Sequence, residues 1–286
     1  MEIIIKNLSY KDLNNLNFSI VDGMITGITG KGKTLVLKLI HGILSGKGSI
    51  KYNGEKIGVK NKLKTIKQIG YIDSNFNNVF SVNTVEEHML FYIQYYKLPI
   101  KDPNKKIIDS LKIVGLTNKY LTRNISSLSS SEKKLLQVAT VLLINPKILL
   151  LDEPFLNLDN KNEKKFARLL DQLNDKFGIN IVIASNDSEI LYKYTKRIIM
   201  LKDNTVLLEG DTKEVYQDVD FLVSNEFEIP DIVKFVYIAK NNKNVNIDYH
   251  RDIRDLIKDI YKHVWKKQIY SYVFVRNFNN NLYIYK

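Results

Sequence analysis

Strand and helix alternate through the second half of this chain, which predicts an α/β fold with a parallel sheet covered on both faces by helices. Two short runs locate its ligand site: Gly27 to Thr34 reads G-I-T-G-K-G-K-T, and Ile148 to Pro154 reads I-L-L-L-D-E-P. The first is a glycine-rich turn between a strand and a helix. The second is an apolar strand that ends in two carboxylates. Changes of pattern at Thr84 and beyond Pro230 add an inserted helical subdomain and a small C-terminal α+β appendage.

Glu2–Ile5, Leu16–Ile20 and Met24–Ile28 read as successive short strands, rich in β-branched residues and punctuated by Asp22-Gly23. Thr34 to Leu44 is apolar at helical spacing and stops before Ser45-Gly46. Strands follow at Ser49–Asn53 and Ile66–Ile72. Thr84-Val85-Glu86-Glu87 has the pattern of a capping box and opens a helix through about Lys97. Asp102-Pro103 opens a second helix that fades at Gly115, and Ser129 to Ile144 is a third. Strand Ile148–Leu151, helix Asn160–Lys176, strand Ile179–Ala184 and helix Asp187–Tyr194 come next, then strands Arg197–Leu201 and Thr205–Glu209. Beyond Pro230 the chain reads as helices Asp231–Lys240 and Arg251–Trp265. A hairpin, Ile269–Val275 with Leu282–Tyr285, closes it. The expected domains are 1–218, with the helical subdomain at about 84–145, and 219–286.

Composition narrows the function classes. The 286 residues suffice for one large domain and an appendage. No apolar run approaches the ~20 residues of a membrane-spanning helix, and Met1 to Lys6 lacks signal-peptide architecture. Cysteine is absent, which excludes a disulfide framework and thiolate metal sites and is compatible with a reducing cytoplasm. The net charge of +12 invites a nucleic-acid or anionic-membrane partner. However, the basic residues are 37 Lys and 6 Arg in a chain also rich in Asn, Ile and Tyr. These types share A/T-rich codons, so codon bias accounts for the charge and no nucleic-acid partner is expected. The densest run, Lys51 to Lys67, reads as a solvated face, with proximity to a membrane surface as the alternative.

Gly27 to Thr34 fits G-x-x-x-x-G-K-[ST] in the strand–loop–helix context that gives this pattern its mechanism. Gly27, Thr29, Gly30, Lys31 and Gly32 would close backbone N–H groups around phosphates, and the helix N-terminus adds a favourable field. Lys33 would reach the β and γ phosphates, and Thr34 would offer a hydroxyl to Mg²⁺. Asp152, at the carboxyl edge of the sheet, would hold the same Mg²⁺. Glu153, one residue on, is placed to polarise an attacking water. Together they predict a P-loop NTPase that binds ATP with Mg²⁺ and hydrolyses it.

On these motifs the chain resembles the ATP-binding subunits of ABC transporters, over residues 1 to about 216. The resemblance implies that Tyr10 stacks on adenine and that Leu158-Asp159 is the family's D-loop. It also implies that two such domains sandwich two ATP molecules, each between one phosphate loop and the opposite signature sequence. The tail, with Glu228-Ile229-Pro230, a helix, and a second helix from Asp248 to Val264, is similar to that of energy-coupling factor (ECF) ATPases. Such subunits sit on the cytoplasmic face of the cell membrane. They power vitamin or metal-ion uptake with a transmembrane T subunit and a substrate-binding S subunit.

Three positions depart from the family pattern. The signature L-S-G-G-Q reads Leu128-Ser129-Ser130-Ser131-Glu132; Ser129 and Ser131 remain candidates to grip a partner's γ-phosphate, without the glycines that ease close approach. The glutamine expected after strand Ile66–Ile72 aligns with Ser74, and Asp73 is its candidate substitute. The switch histidine aligns with Asn186, which can donate a hydrogen bond but carries no proton or charge. Losing one transition-state donor typically costs ~10²–10³ in rate, so slow or partner-dependent turnover is expected. A heterodimer with a better-equipped second ABC ATPase follows. The alternatives are a regulatory nucleotide-binding module with little turnover, which Glu153 argues against, and a soluble ABC ATPase acting on nucleic acid. The surface beside Ser74 and helix Thr84–Lys97, with Phe76 and Phe80, is the expected docking groove for a transmembrane partner.

Overall fold

Residues 2–56, 67–74, 82–243 and 247–262 are described by the computed structural model. They divide into two compact units, Met1–Thr212 and Lys213–Lys286. Phe76, Phe80, most of the lysine run and the C-terminal hairpin lie outside the described residues.

The first unit opens with strands longer than the sequence pattern suggests. β1 (Ile3–Tyr10) and β2 (Leu13–Ile20) pair antiparallel, from Ile3 opposite Ile20 to Tyr10 opposite Leu13. With β4 (Lys47–Tyr52) and β5 (Glu55–Lys56) they form a sheet of order β2-β1-β4-β5. Strand–helix alternation did not announce this separate antiparallel layer, because β1 and β2 are joined by a turn and β4 rejoins them only after the chain has passed through a strand of the other sheet and a helix.

The second sheet has the order β10-β9-β3-β8-β7-β6. Its members are β3 (Ile25–Gly30), β6 (Ile69–Ile72), β7 (Ile148–Asp152), β8 (Asn180–Ala184), β9 (Arg197–Lys202) and β10 (Thr205–Asp211). All pairings are parallel except that of β9 with the edge strand β10. β7 and β8 are buried along their whole length, as expected for strands covered on both faces.

Helix α1 (Lys33–His41) lies between the two sheets. Its Val36, Leu37, Leu39 and Ile40 join Ile3, Leu16 and Phe18 on one side and Ile28, Leu150 and Ile199 on the other in one core. Burial at about 25 cal/mol per Å² of apolar surface makes this cluster the main hold on the phosphate loop at its N-terminal end.

The inserted subdomain contains α2 (Val85–Tyr95), α3 (Pro103–Ile113) and α4 (Ser130–Leu142). The capping box predicted at Thr84 is formed, with the hydroxyl taking the Glu87 N–H and the Glu87 carboxylate taking the Thr84 N–H. Asp102 caps α3 ahead of a proline in the first turn, where the missing N–H costs nothing. Later come α5 (Asn160–Asp175) and α6 (Ser188–Tyr194).

In the second unit, helices Val219–Ser224 and Asp231–Lys243 are joined by a hydrogen bond from the Tyr237 hydroxyl to Asp220, 2.5 Å. A further helix spans 253–262. No helix among the described residues is long and apolar enough to cross a membrane.

Candidate active site

Four adjacent strands, β3, β8, β7 and β6, deliver their following loops to one carboxyl edge. At or just beyond this edge stand Lys33 and Thr34 in the first turn of α1, Ser185 and Asn186 after β8, Asp152 at the end of β7 with Glu153 after it, and Asp73 and Ser74 after β6. Parallel strands impose this: every carboxyl end points the same way, so residues more than a hundred positions apart meet.

The phosphate loop is shaped by two glycines in the left-handed region. Gly30 has φ 97° and Gly32 φ 96°. A Cβ on Gly30 would stand 1.9 Å from the Leu201 carbonyl oxygen, and one on Gly32 would stand 2.7 Å from Leu13. The second contact puts the β1–β2 turn, which carries Tyr10, against the loop. Gly32 is also the N-cap of α1 and offers no side chain to the first-turn N–H groups, which are then available to an anion.

Lys33 Nζ lies 3.3 Å from Glu153 Oε1. The Thr34 hydroxyl donates to Asp152 Oδ1 over 3.1 Å. Asp152 is 3% exposed, and burial pushes its carboxyl above the usual range; the Thr34 hydrogen bond opposes this, while the charges of Asp73 and Glu153 add to it. A positive ion beside this carboxylate would relieve that cost. A hydroxyl touching a carboxylate is a hard-oxygen pair that suits Mg²⁺. Among the described residues no cluster of three or more His, Cys, Asp or Glu could hold a metal.

Glu153 is the most constrained residue of the site. Its φ of 45° is left-handed, which costs a non-glycine residue about 1–3 kcal/mol. Its N–H donates to the Ala184 carbonyl, 2.9 Å. Its carboxylate accepts from the Ser185 hydroxyl at 2.7 Å and from the Asn186 N–H at 3.2 Å. Sequence reasoning missed Ser185. The only available signal was its place directly after the buried strand β8. Asn186 joins the site through its backbone, and its side chain is exposed.

Asp73 forms an ion pair with Lys38 at 3.6 Å and accepts from Tyr71 at 3.3 Å and Ser74 at 3.5 Å. The Ser74 position is thus occupied by a short hydroxyl turned to its neighbour. Tyr10, half-buried, packs against the core, with Lys11 Nζ 5.7 Å from its ring centroid. Asp159 caps α5, accepting from the N–H groups of Lys161 and Asn162, and those bonds hold its carboxyl below the usual range.

Ser129, Ser131 and Glu132 stand apart from this cluster. With Leu158, Asn162 and Phe166 they line an open pocket of about 300 Å³. Ser129 and Glu132 form a second capping box. Glu132 accepts from the Ser129 N–H at 2.8 Å and its hydroxyl at 2.9 Å, and from the Tyr120 hydroxyl at 2.6 Å. Arg123 lies 3.8 Å from the carboxylate and over the Tyr120 ring. The Tyr120 hydrogen bond first, then that from Ser129, hold Glu132 below the usual carboxylate range. The Glu132 carboxylate thus lies at the start of α4, where the helix field favours a negative charge.

Lys134 on α4 is 2% exposed and donates to the carbonyls of Pro154 and Leu156, both at 2.6 Å. Burial pushes its ammonium down to about 8, against the pull of Glu153. No motif marks it, because a lysine on a helix ordinarily reads as a solvent-facing charge.

Residues 13–156 match the family described as ABC transporter. The energy-coupling factor transporter ATP-binding protein EcfA3 of Oenococcus oeni is 29% identical over 283 residues, 92% of this chain and 97% of that protein. The solved structure of cbiO1 from Clostridium perfringens, part of the ABC transporter complex cbiONQ, matches with a TM-score of 0.70. Its identity is 27%, over 82% of this chain and 98% of that one. A dimeric ATP-binding cassette in a post-hydrolysis state, bound to ADP and Pi, gives a TM-score of 0.64 at 26% identity, over 73% of this chain and 98% of its own. With a phosphate loop, an aspartate–glutamate strand end and these relatives in agreement, the chain belongs to the ABC transporter family as an ATP-hydrolysing subunit most like the energy-coupling factor ATPases.

Proposed function

We propose that this chain is the ATPase of an ECF-type importer for a vitamin or metal ion. It works on the cytoplasmic face of the membrane with transmembrane T and S subunits. The observation that carries the catalytic half of this reading is the contact set Thr34–Asp152 and Lys33–Glu153–Ser185 at one sheet edge. Gly27 and Thr29 to Gly32 cradle the phosphates by backbone N–H, Lys33 neutralises them, and Thr34 and Asp152 hold Mg²⁺, whose charge offsets that on the phosphates. Glu153, oriented by Ser185 and the Asn186 N–H, polarises the attacking water. Asn186 stands near the γ-phosphate in place of a histidine, Ser74 beside the water, and Tyr10 against adenine.

The signature edge, Ser129 and Ser131 with Asp159 beyond it, faces a partner's nucleotide. There Glu132 places a full negative charge next to a triphosphate, which disfavours closure on that side. This supports an asymmetric heterodimer with a second ABC ATPase whose intact signature completes the Gly27–Thr34 site. The test is ATP turnover of the purified chain with and without the ATPase that co-purifies with it. The expected result is a rise of about tenfold or more on mixing, since each missing donor costs ~10²–10³. Unchanged turnover by a chain that dimerises alone would overturn the heterodimer.

Ser130→Gly, Ser131→Gly and Glu132→Gln together should raise turnover at the partner's phosphate loop by about tenfold or more. A partner variant lacking its own catalytic carboxylate serves as the blank. No rise would show that the substitutions at the signature are compensated.

A further inference from the structure

The loop that follows β7 is held in an unfavourable shape, and something must hold it. Glu153 and Asn157 both have left-handed backbones, at φ 45° and 62°. Asparagine tolerates this region, but Glu153 relaxes toward the right-handed or extended regions unless its surroundings forbid it. Within the loop, the Leu156 N–H reaches the Glu153 carbonyl and the Leu158 N–H reaches Phe155, both at 3.2 Å. These are long bonds. Shorter ones come from outside: the Glu153 N–H to the Ala184 carbonyl at 2.9 Å, and, at 2.6 Å, the ammonium of Lys134 to the carbonyls of Pro154 and Leu156.

We propose that Lys134 is a positioning residue for ATP hydrolysis: by gripping the carbonyls of Pro154 and Leu156 it fixes the backbone of Glu153 and ties the carboxylate to helix α4. An ammonium is an expensive side chain to bury for packing alone, since it loses its water shell. Two of its donors are matched here to carbonyl dipoles, and its charge makes these bonds stronger than those of a neutral donor. Lys134 also stands two residues beyond Glu132, on the helix whose first turn is the signature edge. A shift of that edge therefore reaches the loop carrying Glu153 through one side chain. The inference rests on the reading of Glu153 as the water-polarising carboxylate.

Lys134→Met removes the donors at nearly constant volume, and Lys134→Gln keeps an uncharged donor pair. Three readouts apply to the full chain with its co-purifying ATPase: ATP turnover, the affinity for a fluorescent ATP analogue, and amide exchange at Leu156 and Leu158. For Lys134→Met we expect turnover to fall by about 10- to 100-fold, the cost of misplacing a catalytic group by about an ångström. Affinity should stay within about twofold, because the phosphate loop is untouched, and exchange at both amides should accelerate. Lys134→Gln should recover part of the turnover. Wild-type turnover with unchanged exchange in Lys134→Met overturns the proposal. So does a parallel loss of turnover and affinity that Gln does not ease, which marks a purely structural lysine. Glu153→Gln separates the two readings: if it hydrolyses like wild type, the role of Glu153 fails, and exchange at Leu156 and Leu158 alone then decides whether Lys134 holds the loop.

Discussion

Glu153→Gln is expected to lower ATP turnover by about 10²–10⁴-fold while leaving ATP binding intact. The substitution keeps the shape: the amide oxygen can still accept from the Asn186 N–H, now 3.2 Å from one carboxylate oxygen, while the Ser185 hydroxyl, now 2.7 Å from the other, can turn to accept from the amide NH2. What is lost is the negative charge and the ability to accept a proton from water. Affinity should hold or tighten, for two reasons. Lys33, 3.3 Å from the carboxylate in wild type, is released to face phosphate alone. The triphosphate also no longer meets a second anion beside Asp152. Single-turnover hydrolysis and binding of a fluorescent ATP analogue, measured on the same preparation, check both halves. Equal single-turnover rates for variant and wild type would remove Glu153 from the reaction and favour a module that closes on ATP without chemistry.

Much of this site is legible in the sequence because its parts obey local rules. The loop Gly27–Thr34 needs glycines where backbone must approach phosphate, and it lies between a strand and a helix in the structure. Asp152 and Glu153 follow a buried apolar strand, and a parallel strand's carboxyl end faces the ligand. Helix caps at Thr84 and Asp102 were readable for the same reason, since each involves residues within three positions.

The parts that were not legible depend on contacts across long sequence distances. Ser185 and Glu153 are 32 residues apart, and only the β7–β8 pairing brings them together. Lys134 and Pro154 are separated by 20 residues and by a helix-to-strand crossover. The carboxylate of Glu132 illustrates a different failure. Compared with L-S-G-G-Q it reads as a defect beside an anion. Yet S-x-x-E is also a capping box, and the structure satisfies that local rule, with Tyr120 and Arg123 closing around the charge. The antiparallel sheet was hidden because β4 pairs with β1 only after an excursion through β3 and α1, and a strand pattern does not say which sheet each strand joins.

Gly30→Ala is expected to abolish ATP binding and to destabilise the first unit severely, more than any other single methyl added to the phosphate loop. Two effects combine. At φ 97° an alanine pays the left-handed penalty of about 1–2 kcal/mol. The larger effect is steric: the new Cβ would lie 1.9 Å from the Leu201 carbonyl oxygen and 2.9 Å from its carbon. Both belong to backbone, so no rotamer change gives relief. Gly30 and Leu201 are register partners in the β3–β9 pairing. Relief therefore requires β3 and β9 to part at the point where the loop turns toward α1. The cost falls in the exceptional range of more than about 4 kcal/mol. At about 2–4 °C per kcal/mol for a unit of this size, the melting temperature should fall by roughly 8 °C or more. Gly23→Ala is the control. Gly23 also has positive φ, at 74°, but a Cβ there meets nothing within 4 Å. It should carry the conformational penalty alone, shift melting by only a few degrees, about 2–8 °C, and bind ATP normally. If the two variants melt together, the close approach of Leu201 to the phosphate loop is not what makes Gly30 necessary.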